Sequence, residues 1–262
     1  MRENLLIFLC CLIISLPSYA APGSWMQIGQ KGEWSNTLDA TILDELLYSV
    51  EKSGFLYVTE LTTGKWKKIG KADFAQTLFL LPGFNTLYSI ERDGSLYAIE
   101  KNGSWKQIGK TGDWKNTIAA VILDNQLFSI EINGALYVTN LSNGAWKQLG
   151  KADFAETIHL VAGKNQLYSI EKSGSLYTID LNGNWKQMGK AGDWKGTLRA
   201  AYLDGKLYTI ETSGVLYETD PFTGRWKKLG NPDFAQTGFL VSGKSNLFSI
   251  ERDGSLYKIS IQ

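Results

Sequence analysis

One phrase recurs six times along the chain, and it reads most plainly as Leu167-Tyr168-Ser169-Ile170-Glu171-Lys172-Ser173-Gly174-Ser175-Leu176-Tyr177. Its glutamates are Glu51, Glu91, Glu131, Glu171, Glu211 and Glu251, and its glycines Gly54, Gly94, Gly134, Gly174, Gly214 and Gly254, both stepping by 40 residues without drift. A fixed period of this length marks stacked or radially arranged units, each too small to bury its own apolar face. That periodicity limits the architecture before any local pattern is read.

Each repeat divides into four strand-length runs, which in the first repeat span 37–43, 46–51, 55–60 and 65–69. They are rich in Leu, Ile, Tyr and Trp and punctuated by Gly, Asn and Asp, as strands are, and no stretch keeps a helical period. The connections are of hairpin length, so neighbouring strands are expected to be antiparallel. Leu-Tyr followed by Ser-Ile places apolar residues on both faces of the second strand, where a sandwich with one wet face would alternate more strictly. Small sheets covered on both sides fit blades packed on blades, and six repeats of four strands predict an all-β, six-bladed β-propeller.

The ends complement each other. The last repeat runs 238–241, 247–251 and 255–261 and stops after three strands, while Gly23-Ser24-Trp25-Met26-Gln27-Ile28-Gly29 matches the fourth strand of a repeat that has no beginning. The N-terminal strand is therefore expected to complete the C-terminal blade and close the ring, whereas an open solenoid would need polar caps.

A second rhythm overlies the first. The fourth-strand tryptophans, Trp25, Trp66, Trp105, Trp146, Trp185 and Trp226, step by 41, 39, 41, 39 and 41. Loops into odd repeats carry Gly and Trp (Trp34, Trp114, Trp194), and loops into even repeats are one residue shorter and carry Phe (Phe74, Phe154, Phe234). The ring is thus a threefold array of blade pairs, with three or six equivalent ligand sites.

Arg2, the apolar run Leu5 to Leu16 and Pro17-Ser18-Tyr19-Ala20 have the layout of a cleavable secretory leader. The expected division is a leader over 1–20 and a propeller over 21–262, with a secreted or periplasmic destination. About 12 apolar residues are too few to span a bilayer, which needs roughly 20, so stable membrane insertion is not expected. Cys10 and Cys11 both fall in the leader, leaving the remainder without disulfide, thiolate ligand or thiol nucleophile. A net charge of +1 supplies no field for nucleic acid or anionic lipid. No phosphate-cradling loop, calcium loop or zinc-spaced histidine pair is present, so neither cofactor nor metal is expected. Asn102-Gly103-Ser104 and Asn140-Leu141-Ser142 fit the glycosylation acceptor pattern.

In a four-stranded blade, the loop entering the first strand and the turn between the second and third strands open on the same rim. The loop brings Lys71, Lys110 or Lys151, an acid (Asp73, Asp113, Asp153, Asp193, Asp233) and the aromatic; the turn brings the recurrent glutamate. Such clefts suit a neutral sugar, whose C–H face lies on an aromatic ring while its hydroxyls bond carboxylates and amines. Trp34, Trp114 and Trp194 are the expected stacking platforms. The same residues also read as fasteners, with acids accepting backbone N–H bonds in turns and aromatics packing between blades. The fourth-strand tryptophans read as packing bulk, and the lysines after them as guards against edge-to-edge pairing. On the first strand, which lines the channel, symmetry breaks at Asp39, Phe79, Ala119, His159, Arg199 and Phe239. The single histidine has no paired base or activated nucleophile, so an enzyme is not expected.

Leu-Tyr-Ser-Ile-Glu-x-x-Gly-x-Leu-Tyr, Gly-x-Trp-Lys and Gly-Lys-x-x-Asp-Trp/Phe together resemble the tectonin and tachylectin group of propeller lectins across residues 21–262. The resemblance implies a secreted lectin that binds glycans at several equivalent sites between blades. A protein-binding scaffold using the same rim is the alternative.

Overall fold

The computed structural model describes residues 20–262, so the expected leader lies outside the described residues except for Ala20. Among the described residues, 24 strands form six four-stranded antiparallel sheets. Blade 1 comprises Thr37–Leu43, Leu46–Glu51, Leu56–Glu60 and Trp66–Ile69, each strand bonded to the next. Blades 2 to 5 repeat that order outward from the channel. In blade 6 the fourth strand comes from the other end of the chain: Trp25–Ile28 pairs with Leu256–Ser260 in the register Trp25↔Ile259, Gln27↔Tyr257 and Ile28↔Leu256. Gly23 N–H donates to Ser260 O at 2.7 Å and Ser260 N–H to Ser24 O at 2.9 Å, extending the clasp. The ring is closed as the complementary ends require.

The core lies between blades rather than within them. One cluster joins Val50 and Leu56 of blade 1 to Phe74, Leu80, Leu87 and Ile99 of the second unit. The second strand Leu167–Glu171 is buried along its whole length, which is why it carries apolar residues on both faces. Each fully buried Leu or Ile there contributes about 1.5–3 kcal/mol.

The recurrent turn glycine is a point of attachment. Gly94 O accepts the backbone N–H of Trp114 at 3.1 Å, and the same bond recurs as Phe74 to Gly54, Phe154 to Gly134, Trp194 to Gly174, Phe234 to Gly214 and Trp34 to Gly254, between 3.0 and 3.1 Å. Every blade thus holds the loop that enters the next one. Gly94 has φ +82°, and a Cβ there would lie 2.4 Å from Lys115 N. Gly112, at φ +93°, has nothing within 4 Å of its own Cβ position. Gly112→Ala is therefore expected to cost only the backbone strain, about 1–2 kcal/mol. Gly94→Ala adds a backbone clash and should cost more than about 3 kcal/mol. Chemical denaturation of the two variants measures the difference; equal losses would remove the attachment role from Gly94.

Candidate functional site

The recurrent glutamate sits opposite the threonine that starts each blade, at a bulge in the pairing of the first two strands, as in Thr37↔Glu51 and Thr117↔Glu131. The threonine hydroxyl donates to its carboxylate, at 3.1 Å for Thr37–Glu51, 2.8 Å for Thr77–Glu91, 2.9 Å for Thr117–Glu131 and Thr157–Glu171, and 2.8 Å for Thr237–Glu251. Thr197 instead bonds Trp194 O, leaving Glu211 without that partner. The six then divide by blade. Glu91, Glu171 and Glu251, in even blades, are 5–7% exposed, while Glu51, Glu131 and Glu211 are half-buried and open onto clefts. Desolvation raises the carboxyls of Glu51, Glu131 and Glu211 above their ordinary value; threonine bonds oppose this in the first two, and nothing opposes it in Glu211.

The loop acids hold the fourth-strand tryptophans. The indole N–H donates to a carboxylate in Trp66–Glu33 (3.0 Å), Trp105–Asp73 (2.8 Å), Trp185–Asp153 (2.9 Å), Trp226–Asp193 (3.5 Å) and Trp25–Asp233 (3.0 Å). Asp113 accepts Lys110 N–H at 2.9 Å and shares a cleft with Trp146. Each of these tryptophans meets a third-strand tyrosine edge-on or tilted, as in Trp146–Tyr137 at 5.2 Å and 89°.

The exposure of the two aromatic sets is the reverse of that expected for stacking platforms at the loop aromatics and packing bulk on the fourth strand, and it matches the fastener reading of the loop aromatics. Trp34, Trp114, Trp194, Phe74, Phe154 and Phe234 are only 1–4% exposed, so their faces are enclosed by packing. The fourth-strand tryptophans are 44–53% exposed. The cause is position: the N–H of each loop aromatic is bound to the preceding blade, which draws its ring under the chain, as Trp114 lies beneath Gly109. The fourth strand forms the outer edge, with no further strand to cover it. Lys71, Lys110 and Lys151 are exposed and line none of the three clefts described next.

Three clefts open at equivalent positions in blades 1, 3 and 5, with volumes of about 500, 250 and 100 Å³. In blade 3 the walls are Trp146 and Tyr137, the loop aromatic Trp114 is at the base, and Asp113, Glu131 and Thr139 supply polar groups. Third-strand residues explain the odd-blade preference. Thr59, Thr139 and Thr219 occupy the position that Ile99, Ile179 and Ile259 take in even blades. Each isoleucine shares a core cluster with its loop phenylalanine: Phe74 with Ile99, Phe154 with Ile179, and Phe234 with Ile259. Opposite a tryptophan the residue is threonine, and Trp194 Nε1–H donates to Thr219 Oγ1 at 3.4 Å. Ser49 and Thr59 in the first cleft, Thr139 in the second and Thr209 in the third have buried hydroxyls without a hydrogen-bond partner. A buried polar group left so costs about 1–3 kcal/mol, a cost that a bound polar partner removes. The Thr/Ile alternation in step with Trp/Phe is the sequence signal that marks these residues when repeats are compared at the 40-residue period.

The central channel, about 380 Å³, contains Asp39, His159 and Arg199 beside Phe79 and Phe239. All three polar residues tie one inner strand to the next. Asp39 accepts Leu80 N–H at 2.6 Å, His159 Nε2–H donates to Thr197 O at 3.2 Å, and Arg199 Nε–H donates to Gly238 O. Burial pushes the Asp39 carboxyl up to about 7, against its backbone bonds and the Arg199 charge, and lowers His159 below its ordinary value.

Closed ring, inter-blade core and repeated rim clefts define a six-bladed β-propeller of pseudo-threefold symmetry. The chain belongs to the family of the DUF6242 beta propeller domain, whose family model matches residues 115–254, more than half of the chain. No curated protein matches the sequence. Among solved structures, virginiamycin B lyase from Staphylococcus aureus is similar at 10% identity and TM-score 0.63, covering 91% of this chain and 99% of that one. YCF48 from Cyanidioschyzon merolae is similar at 14% identity and TM-score 0.58, covering 84% and 81%. BamB from Moraxella catarrhalis is similar at 14% identity and TM-score 0.50, covering 84% and 71%. At such identities the likeness is one of fold. Among the described residues no helix is long and apolar enough to cross a membrane.

Thr219→Ile leaves the buried Trp194 N–H unpaired and is expected to cost about 1–3 kcal/mol. Adding Trp194→Phe recreates the even-blade pair and should recover part of the loss, a coupling of about 1 kcal/mol in a urea double-mutant cycle. A second expectation concerns pH. Native Asp39 keeps its proton up to about 7, whereas the unfolded residue loses it near 3.8. The native state binds more protons in that window, so the Asp39 contribution makes stability fall as pH rises through it. Asp39→Asn should flatten the slope in a pH series of unfolding curves, and an unchanged slope would contradict the assignment.

Proposed function

We propose that this protein is a secreted, non-enzymatic, multivalent carbohydrate-binding protein whose sites are the three odd-blade clefts. The observation that carries the reading is a half-exposed tryptophan standing against a tyrosine, above carboxylates and unpartnered hydroxyls, repeated around one rim. The C–H face of a sugar fits the aromatic wall. Its hydroxyls fit Glu51, Glu131 and Glu211 as acceptors and reach the orphaned Ser and Thr groups. The stacking residues are then Trp66, Trp146 and Trp226, with Trp34, Trp114 and Trp194 as the base beneath them. Likeness of the repeats to the tectonin and tachylectin lectins supports this reading, and the leader-like pattern over 1–20 supports export. Three sites on one rim raise avidity on a dense glycan surface by about 10²- to 10⁴-fold.

A protein-binding scaffold is the second reading, favoured by Ile132, which is 67% exposed at the mouth of the blade 3 cleft. A glycan array separates the two. The wild-type chain should give glycan signals that fall at least about tenfold when Trp66, Trp146 and Trp226 are all replaced by Ala, as expected for lost multivalency. Trp105→Ala with Trp185→Ala, in even blades, should keep them. A silent array with folded wild-type protein would leave the scaffold reading.

A further inference from the structure

We propose that the odd-blade clefts select a positively charged saccharide, an amino sugar with its nitrogen unacetylated, and this assignment rests on the carbohydrate reading above. Each cleft holds two carboxylates: Glu33 with Glu51, Asp113 with Glu131, and Asp193 with Glu211. Five ion pairs occur among the described residues, and none involves any of these six groups. The clefts of blades 3 and 5 have no lysine or arginine in their walls; Lys52 lines that of blade 1. Elsewhere on the same rim, the exposed carboxylates Glu156 and Asp253 do take a lysine.

The surrounding groups point to the same ligand charge. One oxygen of Glu131 takes the Thr117 hydroxyl, and among the described residues the other oxygen has no donor and neither oxygen of Glu211 has one. Tyr217 and Trp226 stand at 87°, with centroids 5.2 Å apart, and Tyr137 and Trp146 at 89° and the same separation. The half-exposed tryptophan of each edge-to-face pair lines the cleft beside the carboxylates and offers an ammonium group a ring quadrupole to rest against. Independently, Thr139 and Thr209, 0% and 1% exposed, line these two clefts, and their hydroxyls have no partner among the described residues. They complete a polar set for a sugar's hydroxyls beside its nitrogen. A neutral sugar covering the cleft would take water from the half-buried glutamate without supplying a counter-charge, which is costly. An ammonium group supplies both the charge and the N–H donors. Acetylation removes the charge and adds bulk, so it should weaken binding.

The test titrates the full chain with three probes while following tryptophan fluorescence: the β-1,4 tetramer of glucosamine, its fully N-acetylated counterpart, and cellotetraose. The glucosamine tetramer is expected to bind at least tenfold more tightly than either neutral probe. That preference should disappear in Glu51→Gln/Glu131→Gln/Glu211→Gln, with Glu33→Gln/Asp113→Asn/Asp193→Asn as the second variant should the first fail to fold. Equal affinity for charged and neutral tetramers would overturn the charge assignment while leaving the carbohydrate reading intact. A preference that survives in the folded variants would overturn the placement in these clefts. No binding of any probe to the folded wild type would overturn the charge assignment, and a silent glycan array beside it would remove the carbohydrate reading as well.

Discussion

Six backbone hydrogen bonds, each from a loop aromatic to the turn glycine of the preceding blade, are the contacts on which the rest of the ring depends. They set how closely successive blades approach, and they do so on the rim where the clefts lie. The turn glycine combines a left-handed backbone with a main-chain contact that leaves no room for a Cβ, as at Gly94. The bond also draws each loop aromatic beneath the chain. Burial of Trp114 and exposure of Trp146 therefore have one origin, the docking of the loop on its neighbour.

With blade spacing set in this way, the contents of each inter-blade space follow from two positions. Phe with Ile fills the space with hydrocarbon and encloses the even-blade glutamates. Trp with Thr brings an indole N–H and a hydroxyl into the same volume, and the odd-blade glutamates face clefts of about 100 to 500 Å³. Near-identical repeats thus serve two purposes, three joints that are sealed and three that are open. The polar residues of the channel belong with the joints, since Asp39, His159 and Arg199 each bond the backbone of the next inner strand. Their departure from sixfold symmetry reflects local ties between blades.

Much of the architecture was legible in the sequence because it follows from period and from the complementarity of the ends. The 40-residue step, the hairpin-length turns and the orphan Trp25 strand permit few arrangements other than a closed six-bladed ring, and the pairing of Trp25 with Ile259 is the arrangement found. The 41/39 alternation likewise announced two kinds of blade. What the tertiary structure alone decided is which aromatic meets solvent and which carboxylates stay open. Trp114 and Trp146 are alike as residue types, and their difference comes from what a neighbouring blade lays over one and leaves off the other. Glu91 and Glu131 stand in the same phrase, yet one is enclosed and the other lines a cleft, because the volume beside them is filled by residues distant in the chain. Period and strand propensity are properties of a single chain segment; exposure is a property of two segments packed together, and it appears only once the ring has closed.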